Sequence, residues 1–376
     1  MSKTRIGIIF GGRSGEHEIS IRSAKTVIEQ IDRRSYEVTP IAISKTGEWL
    51  NPVDSAAMFP AEVQGLLAED MEKYGSEPIA LLGDTGYGGL AKLGSTDDKN
   101  SYPLDVVFPV LHGTFGEDGT IQGLFEMADI PYVGCGVLAS SCGMDKVTMK
   151  SLFREAGLPI CRHIWFLRHE FENDPAGIIG KMKKELGYPV FVKPANLGSS
   201  VGVSRADDDE SFTKAVELAA EYDRKIIVEE NLDMRELECA VIGNDDPQAS
   251  LPGEYLIHDE SKAFLDYTEK YTGTGNNEFV VPAPISEELS KKIQDLAIRA
   301  FKAIDGSGLA RVDFFLRKDR GMLLVNEINT MPGLTDASGF PKMWAGTGLE
   351  FPEVIDRLVK LAIERHADRA KNKNCL

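Results

Sequence analysis

Short apolar runs of strand length alternate with stretches of helical period along the chain, and this alternation restricts it to α/β architecture. Residues 5–10, 38–44 and 106–111 read as buried strands. Residues 11–17 read as a loop, and 19–31 as a helix with Ile21, Ala24, Val27, Ile28 and Ile31 on one face. Further on, strand-like runs at 162–167, 190–194, 201–206, 225–230, 236–242, 309–316 and 322–329 interleave with helices at 145–156, 174–187 and 287–304. Gly157 and Pro159 close the first of these helices, and Leu289, Ile293, Leu296, Ala300 and Phe301 form one stripe of the last. Residues 83–101, rich in Gly, Asp and Ser, read only as a loop or short hairpins. A chain of 376 residues exceeds one ordinary core, so two or three domains are expected.

Composition removes several classes of function. Hydrophobic residues make up 42% and charged residues 27%, which excludes a disordered or fibrous chain. No apolar run approaches the ~18 residues of a membrane span, and no signal peptide is legible, so a soluble cytoplasmic protein with no membrane partner is expected. The five cysteines are scattered and form no C-x-x-C pair, so neither a disulfide framework nor a zinc site is written. A net charge of −17 with no Lys/Arg-rich block argues against nucleic acid.

Four segments could carry chemistry. Gly11-Gly12-Arg13-Ser14-Gly15-Glu16 lacks the spacing of a dinucleotide or P-loop motif. It reads either as a tight connection or as a backbone cradle in which Glu16 meets a substrate amine. Lys193 ends a strand ahead of Gly198-Ser199-Ser200-Val201-Gly202, which reads as a flap over a triphosphate or as a plain hairpin turn. The strands around Arg311-Val312-Asp313 and Asn326-Glu327-Ile328-Asn329 are joined by the turn-like 317–321. As a hairpin, their period of two sets Arg311, Asp313, Glu327 and Asn329 on one face, with Asp313 opposite or diagonal to Glu327. Such an oxygen-only set is what Mg²⁺ takes beside nucleotide phosphates, and a solvated face with a salt bridge is the alternative. Lastly, His112-Gly113 follows a strand end, where α/β sheets face their ligand crevice.

Taken in order, Gly11-Gly12 with Glu16, His112-Gly113, Met144-Asp145-Lys146, Val192-Lys193-Pro194 with the glycine-serine loop, Glu236, Glu269-Lys270-Tyr271, Arg311-Val312-Asp313 and Asn326 to Gly333 resemble the D-alanine:D-alanine ligases of the ATP-grasp superfamily. The resemblance runs to about Leu361. It implies a Rossmann-like pre-ATP-grasp α/β domain over 1–134 followed by a two-subdomain ATP-grasp fold, 135–227 and 228–376, with a lid at 253–275. It also implies peptide ligation through an acyl phosphate for peptidoglycan precursors, and a homodimer.

Carried over, Lys146, Lys193, Ser200, Lys270 and Asn326 would serve ATP, with Glu229, Glu230 and Leu232 at the adenine and Glu236 at the ribose. Asp313, Glu327 and Asn329 would hold two Mg²⁺, with Mn²⁺ as the alternative ion. Glu16 would bind the first D-alanine's ammonium in a network with Ser199 and Tyr271, and Arg311 with the Gly333 N–H would meet the oxyanion. His112, Ser338 and Gly339 would complete substrate binding. Rival readings are a D-lactate or D-serine ligase, another ATP-grasp carboxylate–amine ligase, and a catalytically silent ATP-binding protein.

Overall fold

The computed structural model describes residues 3–94, 101–198, 201–257 and 277–373, and within them four β-sheets organise the chain. In the first sheet, strand Thr4–Gly11 runs parallel to both Tyr36–Ile43 and Val106–Val110. Both faces of this sheet are covered, which is why its strands are apolar throughout rather than alternating. Ile6, Ile8 and Phe10 enter one core and Ile9 with Ile41 and Val107 the other. The first core is closed by Ala24, Val27 and Ile28 of helix His17–Gln30 and by Val354, Ile355 and Leu358 of helix Phe351–Arg369, so the end of the chain packs on its beginning. Around the stretch 83–101, of which residues 95–100 lie outside the described residues, Ile79–Leu81, Gly89–Lys92 and Ser101–Pro103 form a small antiparallel sheet.

The second sheet is antiparallel in the order His163–Leu167, Lys225–Glu230, Val190–Pro194, Ser204–Ala206. Helices Pro175–Glu185 and Asp209–Tyr222 cover one face through Met182, Phe212 and Val216. The strand expected from 201 begins only at Ser204, because Gly202 takes a φ of +71° that no strand accommodates. The largest sheet runs Asn277–Val280, Gly253–Ile257, Met234–Gly243, Gly308–Arg317, Leu323–Asn329. Helix Glu287–Ala303 packs on it through the expected stripe, with Ile293, Leu296, Ala300 and Phe301 buried. Helix Lys146–Glu155 joins the same core through Met149 and Phe153, its first turn capped by Asp145, whose carboxylate accepts from the N–H groups of Val147 and Thr148.

The expected hairpin forms, pairing Asp313 with Glu327 and Arg311 with Asn329. Between Asp313 and Phe314 the register shifts, since Phe314 pairs with Val325, so Asn326 is an extra residue that bulges the second strand. The bulge lets the polar ends of both strands face a cleft while Phe314 and Val325 stay in the core.

Candidate active site

The site begins at the carboxyl ends of the parallel strands. A Cβ on Gly113 would lie 2.6 Å from Glu16 Oε2, and one on Gly198 would lie 3.3 Å from the same oxygen. The Glu16 carboxylate is therefore seated between the loop after Val106–Val110 and the glycine loop after Val190–Pro194. Gly113 has a φ of +73°, so it supplies both the turn and the space. His112 is buried, and burial pushes its imidazolium down. Its Nδ1 lies 3.0 Å from the Met331 carbonyl and its Nε2 3.0 Å from Ser23 Oγ. The neutral tautomer with Nδ1–H donating to the carbonyl satisfies both. His112 thus ties the N-terminal sheet to the 331–334 turn, and Ser23 Oγ also accepts from the Leu334 N–H at 3.3 Å.

At the hairpin, Arg311 donates through Nε and Nη2 to both oxygens of Asp313 at 2.7 Å, and its Nε lies 3.4 Å from Glu238 Oε2. Asn329 Nδ2 donates to Asp313 Oδ2 at 3.1 Å. Lys146 Nζ donates to the Leu197 carbonyl at 2.7 Å and lies 3.9 Å from Glu327 Oε2. Lys193 Nζ pairs with Glu229 Oε2 at 2.7 Å, and Lys150 Nζ with Glu229 Oε1 at 2.9 Å. Lys150 also donates to the carbonyl of the bulged Asn326 at 2.9 Å. Burial pushes the Glu229 carboxyl up, but Lys150 and Lys193 more than reverse this and hold it well below the usual carboxylate range.

Two adjoining pockets share Lys146, Leu197, Gly198, Glu238 and Glu327. One extends to Glu16, His112, Arg311, Gly333, Ser338 and Gly339. The other extends to Lys193, Glu236, Asp313 and Asn326. Ser338 Oγ lies 2.7 Å from Thr335 Oγ1. A Cβ on Gly339 would lie 2.6 Å from Glu238 Oε2 and 2.8 Å from Phe279, which explains glycine at the pocket wall. The Glu229 side chain is turned into the protein between two lysines, and the Glu230 carboxylate accepts from Arg162, so both carboxylates of this segment are engaged within the protein. Leu232 packs on Cys161, Phe315 and Leu324. Ser199, Ser200, Lys270 and Tyr271 lie outside the described residues.

Sequence reasoning missed three residues. Lys150 stands four positions after Lys146 on one helix, a spacing that places both on the same face. Glu238 stands two after Glu236 on a strand, hence on its face. Glu117 lines the first pocket, its Oε2 accepting from the Gly113 N–H at 2.9 Å, and burial, then Glu16, push its carboxyl well above the usual range.

Asp313, Glu327 and Asn329 suit Mg²⁺ by donor chemistry, being two carboxylates and an amide oxygen with no nitrogen or sulfur ligand. Among the described residues no group of three His, Cys, Asp or Glu stands ready to cage an ion. Arg311 occupies both Asp313 oxygens, a cation where the metal's charge would otherwise be.

Lysines and an oxygen-rich hairpin in a cleft between two antiparallel sheets, joined to a glutamate seated between two glycine loops, define an ATP-grasp ligase. Models of the D-ala D-ala ligase N-terminus and C-terminus match residues 5–135 and 152–360, and the chain belongs to that family. It is 45% identical over 377 residues to the D-alanine–D-alanine ligase of Acetivibrio thermocellus, covering 98% of each chain. The solved D-alanine-D-alanine ligase from Coxiella burnetii superposes with a TM-score of 0.82 at 36% identity, over 99% of this chain and 97% of that one. The VanG D-Ala:D-Ser ligase from Enterococcus faecalis gives 0.81 at 35%, over 96% and 100%. Membership implies ATP, with Mg²⁺ typical of such ligases. Among the described residues no helix is long and apolar enough to cross a membrane.

Proposed function

We infer that the protein joins two D-alanines into D-alanyl-D-alanine, converting ATP to ADP and phosphate, as a cytoplasmic step toward peptidoglycan precursors. The observation that carries this reading is the pair of adjoining pockets, one ending at Glu16 and the other at Lys193 and Asp313, in a chain similar to D-alanine ligases over its whole length. A carboxylate is a poor acylating agent, so the first D-alanine attacks the γ-phosphate of ATP to give an acyl phosphate and ADP. The second D-alanine's amine then attacks the acyl carbon and expels phosphate.

Glu16 holds the first ammonium, and its seat between two glycines restricts how that amino acid can lie. Lys146 and Lys193 face the phosphates, Glu236 the ribose, and backbone groups of 229–232 the adenine. Lys193 arrives already oriented by Glu229, so little order is lost when phosphate binds. Arg311 turns from Asp313 to the developing oxyanion, joined by the Gly333 N–H. Ser338, beside Thr335, receives the second carboxylate. Asp313, Glu327 and Asn329 would hold two Mg²⁺, or Mn²⁺ in their place; when bound, the ions offset charge on the transferred phosphoryl group. Ser199 and Tyr271 complete the Glu16 network and Lys270 serves the phosphates, in the family's pattern. The reading divides the chain at 1–134, 135–227 and 228–376, with a lid at 253–275, and takes the working form as a homodimer.

The test offers D-alanine, D-lactate and D-serine separately and together, following phosphate release and product mass. The expected result is Mg²⁺-dependent phosphate release with D-alanine and a D,D-dipeptide product. ATP hydrolysis indifferent to D-alanine, with no dipeptide, would overturn the reading.

A further inference from the structure

We propose that the crevice at the carboxyl ends of the three parallel N-terminal strands binds a small carboxylate with an apolar body, its charge held by Arg13. Gly11, Ile43 and Leu111, at or just past the ends of those strands, line a cavity of about 320 Å³ with Trp49, Ile121 and Phe115. Parallel sheets place ligands at this edge, and this crevice lies on the far side of His112 from the cleft already described. Nothing in the ligase chemistry uses Arg13, Trp49 or Phe115.

Three observations define the ligand. First, the lining holds no Asp or Glu, and its other titratable group, His112, is kept neutral by burial with both nitrogens engaged. Among the described residues Arg13 makes no ion pair and no hydrogen bond, so its donors are open to an anion. Second, the Arg13 guanidinium stands 4.4 Å from the centre of the Phe115 ring. Phe115 has a φ of 65°, a strained conformation for a bulky residue, held by its N–H donating to Asp118 Oδ2 at 2.8 Å. The strain therefore serves to present the ring, and the arginine on it, at the mouth. Third, Ile43, Trp49, Leu111, Phe115, Ile121 and Leu124 give the walls aliphatic and aromatic surface, interrupted by the hydroxyls of Thr46, Thr114 and Thr120, and a single cation in such walls favours a branched or aromatic body over a phosphate. An amino acid or the D,D-dipeptide would bring an ammonium for which the lining has no anion.

The loops that wall this crevice also set the amine site. Gly11-Gly12 leads into Glu16, and Thr114-Phe115 follow Gly113, which backs the Glu16 carboxylate. Occupancy therefore bears on D-alanine binding, a consequence that rests on the role given to Glu16 above.

The test titrates the full-length protein with phenylacetate, 2-phenylethylamine and phenylacetamide, reading tryptophan fluorescence and calorimetric heat. The expected result is a saturable signal with phenylacetate, lost from fluorescence in Trp49→Phe, and binding at least tenfold weaker with the amine, with the amide and in Arg13→Ala. Saturating phenylacetate is expected to shift the D-alanine KM at least threefold in the parent and not in Arg13→Ala. Equal binding of the amine, undiminished binding by Arg13→Ala, or quenching that survives Trp49→Phe would each overturn the site. An unchanged KM with binding intact overturns the coupling. Binding intact in a protein that forms no dipeptide would fail the ligase reading alone.

Discussion

Removing the carboxylate of Glu229 should damage this protein more than removing the ammonium of Lys150, although the two groups are hydrogen-bonded to each other. Lys150, Glu229 and Lys193 are 1%, 3% and 9% exposed, so water screens none of them appreciably. In Glu229→Gln two ammoniums remain, buried together without the carboxylate between them, a loss of roughly 3–5 kcal/mol for breaking a buried pair from one side. In Lys150→Met the neutral Lys193–Glu229 pair survives at its 2.7 Å contact, and what disappears is a charged hydrogen bond to Glu229 and one to the Asn326 carbonyl. That loss is roughly 1.5–3 kcal/mol for the charged bond, partly offset by the apolar stem of methionine. The assay is amide hydrogen exchange at Ile226, Ile227 and Val228, the strand that carries Glu229 and opens with the central sheet. Protection should fall by about two to four orders of magnitude in Glu229→Gln and by about one to two in Lys150→Met. The Glu229 carboxyl is held below its ordinary value, so its contribution is present above about pH 4.3 and is lost as pH falls below that. The gap between Glu229→Gln and the parent should therefore narrow in acid. Equal protection losses in the two variants, or a gap independent of pH between 7 and 3, would refute the argument that the carboxylate neutralises both lysines.

Other outcomes follow from the same geometry. Asp313→Asn and Glu327→Gln should each lower kcat at least about a hundredfold at saturating Mg²⁺, with thermal midpoints close to the parent's, checked by coupled ADP release and calorimetry. Near-parent turnover in either would remove it from the metal site. Gly113→Ala should raise the D-alanine KM with little change in that for ATP, because the added methyl would meet the Glu16 carboxylate at 2.6 Å and the φ of +73° costs a side chain about 1–2 kcal/mol; steady-state kinetics in both substrates reads this. Burial pushes the thiols of Cys135 and Cys161 up to about 11 and that of Cys239 up to about 12, so at pH 8 iodoacetamide should leave all three unlabelled in the folded protein and label them in urea, as mass spectrometry would report.

What the sequence could determine was whatever depends on short-range periodicity. The alternation of Arg311, Asp313, Glu327 and Asn329 put four polar groups on one face of a hairpin because side chains on a strand repeat every two residues, while the direct pairing of Asp313 with Glu327, rather than a diagonal one, is set by the register the structure adopts. The stripe on Glu287–Ala303 was equally legible, since 3.6 residues per turn needs no partner to be recognised. The bulge at Asn326 was not, because it is set by what the hairpin packs against, including Lys150 reaching its carbonyl from a helix 176 residues away. Glu229 shows the same limit. Local sequence marked it only as the end of a strand, while antiparallel pairing put Lys193 diagonal to it on one face and helix Lys146–Glu155 brought Lys150 over both. Neither the seat of Glu16 between Gly113 and Gly198 nor the packing of Phe351–Arg369 on the first sheet has a local signal. Contacts across such separations exist only once the sheets have docked, and burying apolar surface, which is blind to sequence distance, decides that docking.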